Sequence, residues 1–117
     1  MQVRHPETRW DWSKIEVDAI DFPTGFQWGV ATSSHQVEGN CNNNWSRWEA
    51  SFKEDGTPRI HNGDRSAIAC DHWNRYKEDI ALIKALGVSV YRFSVEWSKI
   101  EPVAGNFDES AIQHYRD

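Results

Sequence analysis

The chain has 117 residues, 38% of them apolar, with 13 Lys and Arg against 18 Asp and Glu and a net charge of −5 when His is neutral. That length suits one domain, and a mildly acidic chain without a basic cluster argues against phosphate-backbone binding, so no nucleic-acid partner is expected. The opening "MQVRHPETRW" has no apolar signal-peptide segment and no stretch could span a bilayer, so the expectation is a cytoplasmic chain with no membrane partner.

Residues 1–22 are polar with scattered Trp10 and Trp12, and are expected to form an irregular lead-in closed by Pro23 and Gly25. A strand is expected from about Phe26, through "FQWGVATSSHQVEG". At period two, one face of it carries Phe26, Trp28, Val30, Thr32, Ser34, Gln36 and Glu38, grading from apolar to hydrogen-bonding. "GNCNNN" reads as a loop. "NNWSRWEASFK" reads as a short helix capped by an Asn, with Trp45, Trp48 and Phe52 on one side. "EDGTPRIHNGD" is dense in turn formers and reads as a long loop.

The clearest helix is "DHWNRYKEDIALIKALG", where Trp73, Tyr76, Ile80 and Ile83 recur at spacings of three and four. Asp71 is its expected N-cap, and Gly87 its expected left-handed end. A second strand, "VSVYRFSVEW", alternates. Tyr91, Phe93, Val95 and Trp97 are expected on one face and Arg92, Ser94 and Glu96 on the other. Pro102 and Gly105 break the chain, and "FDESAIQHYRD" reads as the start of another helix with Asp108 as cap.

Strand, helix, strand and helix start make a βαβα run, which places the two strands parallel. Both strands are apolar first and polar last on one face. A (β/α) barrel has that pattern, because its lumen is packed below and its site opens at the C-terminal ends of the strands. The expected fold class is therefore α/β, the first strand–helix–strand portion of a TIM (β/α)8 barrel, occupying residues 23–117. Gln36, Glu38, Arg92, Ser94 and Glu96 would lie at its polar end.

Other features have plainer explanations. Cys41 and Cys70 lack metal-type spacing and are expected to be reduced structural thiols. His61, Asp64, Asp71 and His72 match no zinc pattern, so no metal is expected. Arg75 and Asp79 are expected to pair at i, i+4 on a solvated face. His35 is expected to pack behind the first strand. Trp45 and Trp48 are expected mostly in a core, the alternative being the entrance to a binding site. Arg92 and Glu96 could form an ion pair, and Glu38 is the only other lumen-side carboxylate with which Glu96 could share chemistry.

"FPTGFQWGVATSSHQVEG", "ACDHWNRYKEDIALIKALGVSVYRFSVEWSKIEP" and "GNFDESAIQHYRD", three blocks in order over about four-fifths of the chain, together resemble the N-terminal portion of glycoside hydrolase family 1, the β-glucosidase family. The resemblance implies hydrolysis of β-glycosides or oligosaccharides by the retaining two-carboxyl mechanism, without a cofactor. It implies that Gln36 binds hydroxyls of the non-reducing-end sugar, and that Arg92 lies beside and orients the catalytic nucleophile. Glu38 and Glu96 would act behind these contacts. Glu96, Lys99 and Asn74 stand where many members have Ser, Arg and His. The family draws its two catalytic glutamates from Asn-Glu-Pro and Glu-Asn-Gly motifs, and neither occurs in these 117 residues. The chain is thus expected to need the remainder of the barrel. The rival expectations are a non-catalytic carbohydrate-binding module and a truncated product without independent activity.

Overall fold

The computed structural model describes residues 12–14 and 21–117. The expected lead-in over 1–22 lies mostly outside the described residues; within it, Trp12–Lys14 form one 3-10 turn. Two short strands, β1 (Gly29–Ala31) and β2 (Val90–Arg92), pair in parallel with Val30 opposite Tyr91. Gly29 is required at this joint, because a Cβ there would sit 2.9 Å from the Val90 carbonyl oxygen.

Five α-helices, α1 (Ser34–Val37), α2 (Asn44–Glu49), α3 (His72–Ala85), α4 (Trp97–Ile100) and α5 (Glu109–Arg116), and a 3-10 turn at His61–Gly63 complete the described elements. The helix α3 supplies the crossover from β1 to β2, as the alternation of patterns predicts. Its Trp73, Tyr76 and Ile80 line a cavity of about 210 Å³ with Tyr91, Phe93 and His114. Gly87, at φ 74°, follows its last turn, as expected.

Both strands are shorter than the alternation predicts. The ladder ends where the Thr32 N–H donates to the Arg92 carbonyl at 3.0 Å. Beyond it, the Ser34 N–H donates to the Ser94 hydroxyl at 2.8 Å, a side chain in place of a backbone carbonyl. With no ladder to join, the chain turns on itself, and the Val37 and Glu38 N–H groups donate to the carbonyls of Ser33 and Ser34. Gln36 and Glu38 therefore stand on and just after a helical turn, and the period-two face that joined them does not exist. Gln36 is exposed and Glu38 is buried. On the second strand the alternation likewise stops early. Tyr91 and Phe93 face the α3 cavity, whereas Val95 and Trp97 line a groove on the other side.

Capping follows expectation in two places and departs from it in a third. Asn43 caps α2 by accepting from the Ser46 N–H, and Asp108 caps α5 by accepting from Ser110 and Ala111. Asp71 precedes α3 but is left-handed, with φ 55°, and its side chain accepts no helix N–H. A capping side chain needs an extended backbone to reach over the first turn. Asp71 instead accepts from the Asn74 amide at 2.7 Å. The expected Arg75–Asp79 pair is also redistributed: Arg75 meets Glu78 at 3.0 Å, and Asp79 meets His72 at 2.6 Å.

Only Ile100 and Ala111 are buried apolar residues among those described. Phe93, Trp28, Trp97 and Leu86 are each at least half exposed. The buried polar residues are Ser34, Glu38 and Glu96, all located beyond the C-terminal ends of the strands. The best-ordered packing of this chain is therefore polar and lies at the end of the sheet that its sequence marks as hydrogen-bonding.

Candidate functional site

A groove of about 800 Å³ opens beyond the strand ends, between α1, α2 and the start of α4. Gln36 on α1 lines it together with Trp45 and Trp48 of α2 and Trp97 of α4. The Gln36 side chain is exposed, and its amide has no partner among the described residues. Trp45 and Trp48 meet edge to face at 6.0 Å and are 56% and 42% exposed, so both belong to this groove and not to a core. Aromatic faces beside a free amide suit a ligand with both apolar ring faces and hydroxyls.

His35 lines the same groove, contrary to the expectation that it packs behind a strand. Successive residues of a helical turn are 100° apart, whereas those of a strand point to opposite faces. Its Nε2 lies 2.7 Å from the Glu49 carboxylate, and Glu49 also accepts from the Ser66 N–H and hydroxyl at 2.9 and 3.0 Å. Burial pushes the Glu49 carboxyl up, but the bonds from Ser66 and His35 outweigh it and hold the group below its ordinary value.

The two buried carboxylates are fully engaged by the protein. Glu96 accepts from the Ser98 hydroxyl at 2.6 Å and from the Asn43 amide at 2.8 Å. Burial raises its proton affinity, yet bonds from Ser98, Asn43 and the Cys41 thiol leave it below the usual carboxylate range. The same arrangement pushes the Cys41 thiol up to about 12, through burial first and the Glu96 charge second. Glu38 accepts from the Tyr115 hydroxyl at 2.6 Å and from Lys99 at 3.2 Å. Lys99 also donates to the Gly39 carbonyl and sits 4.0 Å over the Trp73 ring.

Tyr115 ties the two halves together, because its oxygen also accepts from the Glu96 N–H at 2.8 Å. Burial and the bond to Glu38 push its phenol far up, so it remains the donor. Gly39 closes the corner. It has φ 83°, and a Cβ there would lie 2.3 Å from the Ile68 carbonyl oxygen.

Of the residues singled out in the sequence, Gln36 faces the groove, Glu96 forms part of its floor, and Glu38 lies behind it in the Tyr115–Lys99 cluster. Arg92 stands on β2 with an exposed side chain and makes no ion pair with Glu96 among the described residues. Glu96 is occupied by amide and hydroxyl donors, so the ion-pair alternative is replaced by hydrogen bonds from neutral donors. Tyr115, Lys99, Asn43 and Glu49 were not singled out as members of this assembly. Only the Asn43 cap had a local signal, Asn followed three residues later by Ser ahead of Trp48.

The model of Glycosyl hydrolase family 1 matches residues 18–117. Beta-glucosidase A of Thermotoga maritima is 43% identical over 98 residues, 80% of this chain and 22% of that protein. Beta-glucosidase 4 of Oryza sativa subsp. japonica is 41% identical over 107 residues, 87% of this chain and 22% of its own length. In three dimensions the AHE enzyme from Alicyclobacillus herbarius superposes with a TM-score of 0.73 at 37% identity, over 83% of this chain and 22% of that one. The Thermotoga maritima β-glucosidase in complex with castanospermine does so at 0.71 and 39%, over 81% and 22%. The chain thus spans about 22% of the length of these curated relatives. Sequence identity and backbone geometry agree over the same four-fifths of the residues, and on that ground the chain belongs to glycosyl hydrolase family 1.

Proposed function

We propose that this chain forms the first part, residues 23–117, of a (β/α)8 barrel that hydrolyses β-glycosides, with β-glucosides as the substrate class. The observation that carries the proposal is the unpartnered Gln36 amide, set among the exposed rings of Trp45, Trp48 and Trp97 at the polar end of a parallel strand pair. A sugar ring presents C–H faces for aromatic contact and hydroxyls for an amide that both donates and accepts. Gln36 would hold hydroxyls of the non-reducing-end sugar. Arg92, exposed on β2, would face and orient a nucleophilic carboxylate supplied by the rest of the barrel.

Neither Glu38 nor Glu96 suits the role of catalytic carboxylate. Each is 4% exposed, and each carries hydrogen-bond donors on both oxygens. A retaining nucleophile must present a free lone pair to the anomeric carbon and stand about 5 Å from its acid/base partner. These two instead hold the strand ends in place. The nucleophile and acid/base are assigned to Asn-Glu-Pro and Glu-Asn-Gly motifs outside these 117 residues, and no cofactor is required.

The test measures release of a chromophoric aryl alcohol from an aryl β-glucoside. The chain alone is expected to give none, and a mixture with a separately expressed remainder of the barrel is expected to restore turnover. Turnover by the chain alone that vanished in Glu38→Gln or Glu96→Gln would overturn the placement of the catalytic carboxylates. A restored barrel that left β-glycosides intact would overturn the reaction.

A further inference from the structure

One element of the groove is not used by the proposed function: a string of hydrogen bonds across its floor, with the Asn43 amide at its centre. The orientation of that amide follows from its neighbours. Its Oδ1 accepts from the Ser46 backbone N–H at 3.0 Å, a group that can only donate. The Nδ2 end, with two hydrogens, therefore points the other way. It donates to Glu96 Oε2 at 2.8 Å and meets His35 Nδ1 at 3.3 Å. An NH2 group offers no acceptor, so Nδ1 of His35 must be the unprotonated nitrogen. The ring proton then sits on Nε2, facing Glu49 at 2.7 Å.

We infer that Asn43 is a positioning residue of the groove. One amide caps α2, holds Glu96 beyond the end of β2, and keeps His35, the neighbour of Gln36 on α1, as the neutral Nε2–H tautomer. The link to Gln36 as a sugar contact rests on the proposed function; the tautomer does not. The consequence is a groove whose three elements stay joined while His35 is neutral. Protonation at Nδ1 would set an N–H against the Asn43 NH2, displace the amide, and release both Glu96 and the α2 cap together. Glu49 from α2 and Glu96 from the segment after β2 are the charged groups that line this groove with His35. Glu49 faces the Nε2–H directly, and Glu96 is separated from the ring by the Asn43 amide itself.

The experiment is nitrogen-15 NMR of the His35 ring, in the protein and in two variants that both retain a cap. Asn43→Asp caps α2 as well as Asn does, but sets a carboxylate against both His35 Nδ1 and Glu96 Oε2. A proton is then expected on Nδ1 of His35, because the new carboxylate accepts where the amide NH2 could only donate. Asn43→Ser keeps a capping oxygen without the amide, and the tautomer preference is expected to disappear. A neutral wild-type ring carrying its proton mainly on Nδ1, a ring averaging like free imidazole, or an Asn43→Asp variant whose Nδ1 stays unprotonated would each overturn the assignment. Castanospermine binding separates this inference from the function it builds on. Asn43→Ser is expected to weaken binding about tenfold. An Nε2–H tautomer without any castanospermine binding would leave the positioning intact and overturn the sugar site. Measurable binding of equal strength in wild type and Asn43→Ser would show that the amide does not position the groove.

Discussion

The Tyr115 hydroxyl donates to Glu38, 77 positions away, at 2.6 Å and accepts from the Glu96 backbone N–H at 2.8 Å, joining Glu38 and Glu96 through one oxygen. A helix that begins beyond β2 thereby fixes the segment that follows β1. Replacing it by Phe removes both bonds and leaves a buried carboxylate served by Lys99 alone. Tyr115→Phe is expected to cost about 1–3 kcal/mol by chemical denaturation. Arg75→Ala, which removes an exposed pair, is expected to change stability by less than about 0.5 kcal/mol.

Gly39 and Gly56 have nearly the same backbone, φ 83° and 79°, but different surroundings. An Ala at either position pays the left-handed penalty of about 1–2 kcal/mol. At Gly39 the new methyl also overlaps the Ile68 carbonyl, whereas at Gly56 nothing lies within 4 Å. Thermal denaturation is expected to rank Gly39→Ala well below Gly56→Ala. Equal losses would mean that the segments of Gly39 and Ile68 are not packed together.

Acid should destabilise the chain in two steps. Burial lowers the His114 pKa against its stack on Trp73, so the unfolded chain takes up that proton first. Stability is then present above the unfolded value near 6.5 and falls as the pH drops below it. The Glu49 and Glu96 carboxyls also lie below their ordinary values, so their contribution is present above about pH 4.3 and is lost as the pH falls through their folded values. Urea midpoints measured against pH are expected to show both regions. His114→Phe is expected to keep the stack and weaken the upper one.

Gln36→Ala should leave stability within about 0.5 kcal/mol of wild type, because the side chain is exposed and unpartnered among the described residues. In the complete barrel it is expected to lower kcat as well as raise KM, since sugar-hydroxyl contacts strengthen as the ring distorts. An unchanged kcat would reduce Gln36 to a ground-state contact.

The open sheet edges and the exposed Trp28, Phe93 and Val95 favour self-association of the 117 residues. Size-exclusion chromatography is expected to show species larger than the monomer. A clean monomer with one cooperative unfolding transition would contradict this.

The sequence by itself determined the succession of β1, α2, α3, β2 and α5, though not α1 or α4, together with the parallel pairing implied by a helical crossover and the apolar stripe of α3. It also determined the cap at Asp108 and that an Asn would cap α2, which the structure identifies as Asn43. These depend on periodicity and on neighbours within a few residues, which the chain carries wherever it folds. It also pointed to the strand ends as the polar region, and Gln36 and Glu96 do lie at the groove there. Tertiary structure alone decided where each strand stops. Alternation in "ATSSHQVEG" continues past the last available partner carbonyl, and a strand without a partner has nothing to pair with. That single event turned Gln36 outward, buried Glu38 and brought His35 to the groove. It also placed Glu38 within reach of Lys99 and Tyr115, from segments 61 and 77 positions away. No local pattern encodes such a meeting, because hydrogen bonds between distant side chains depend on how elements dock and not on how they repeat.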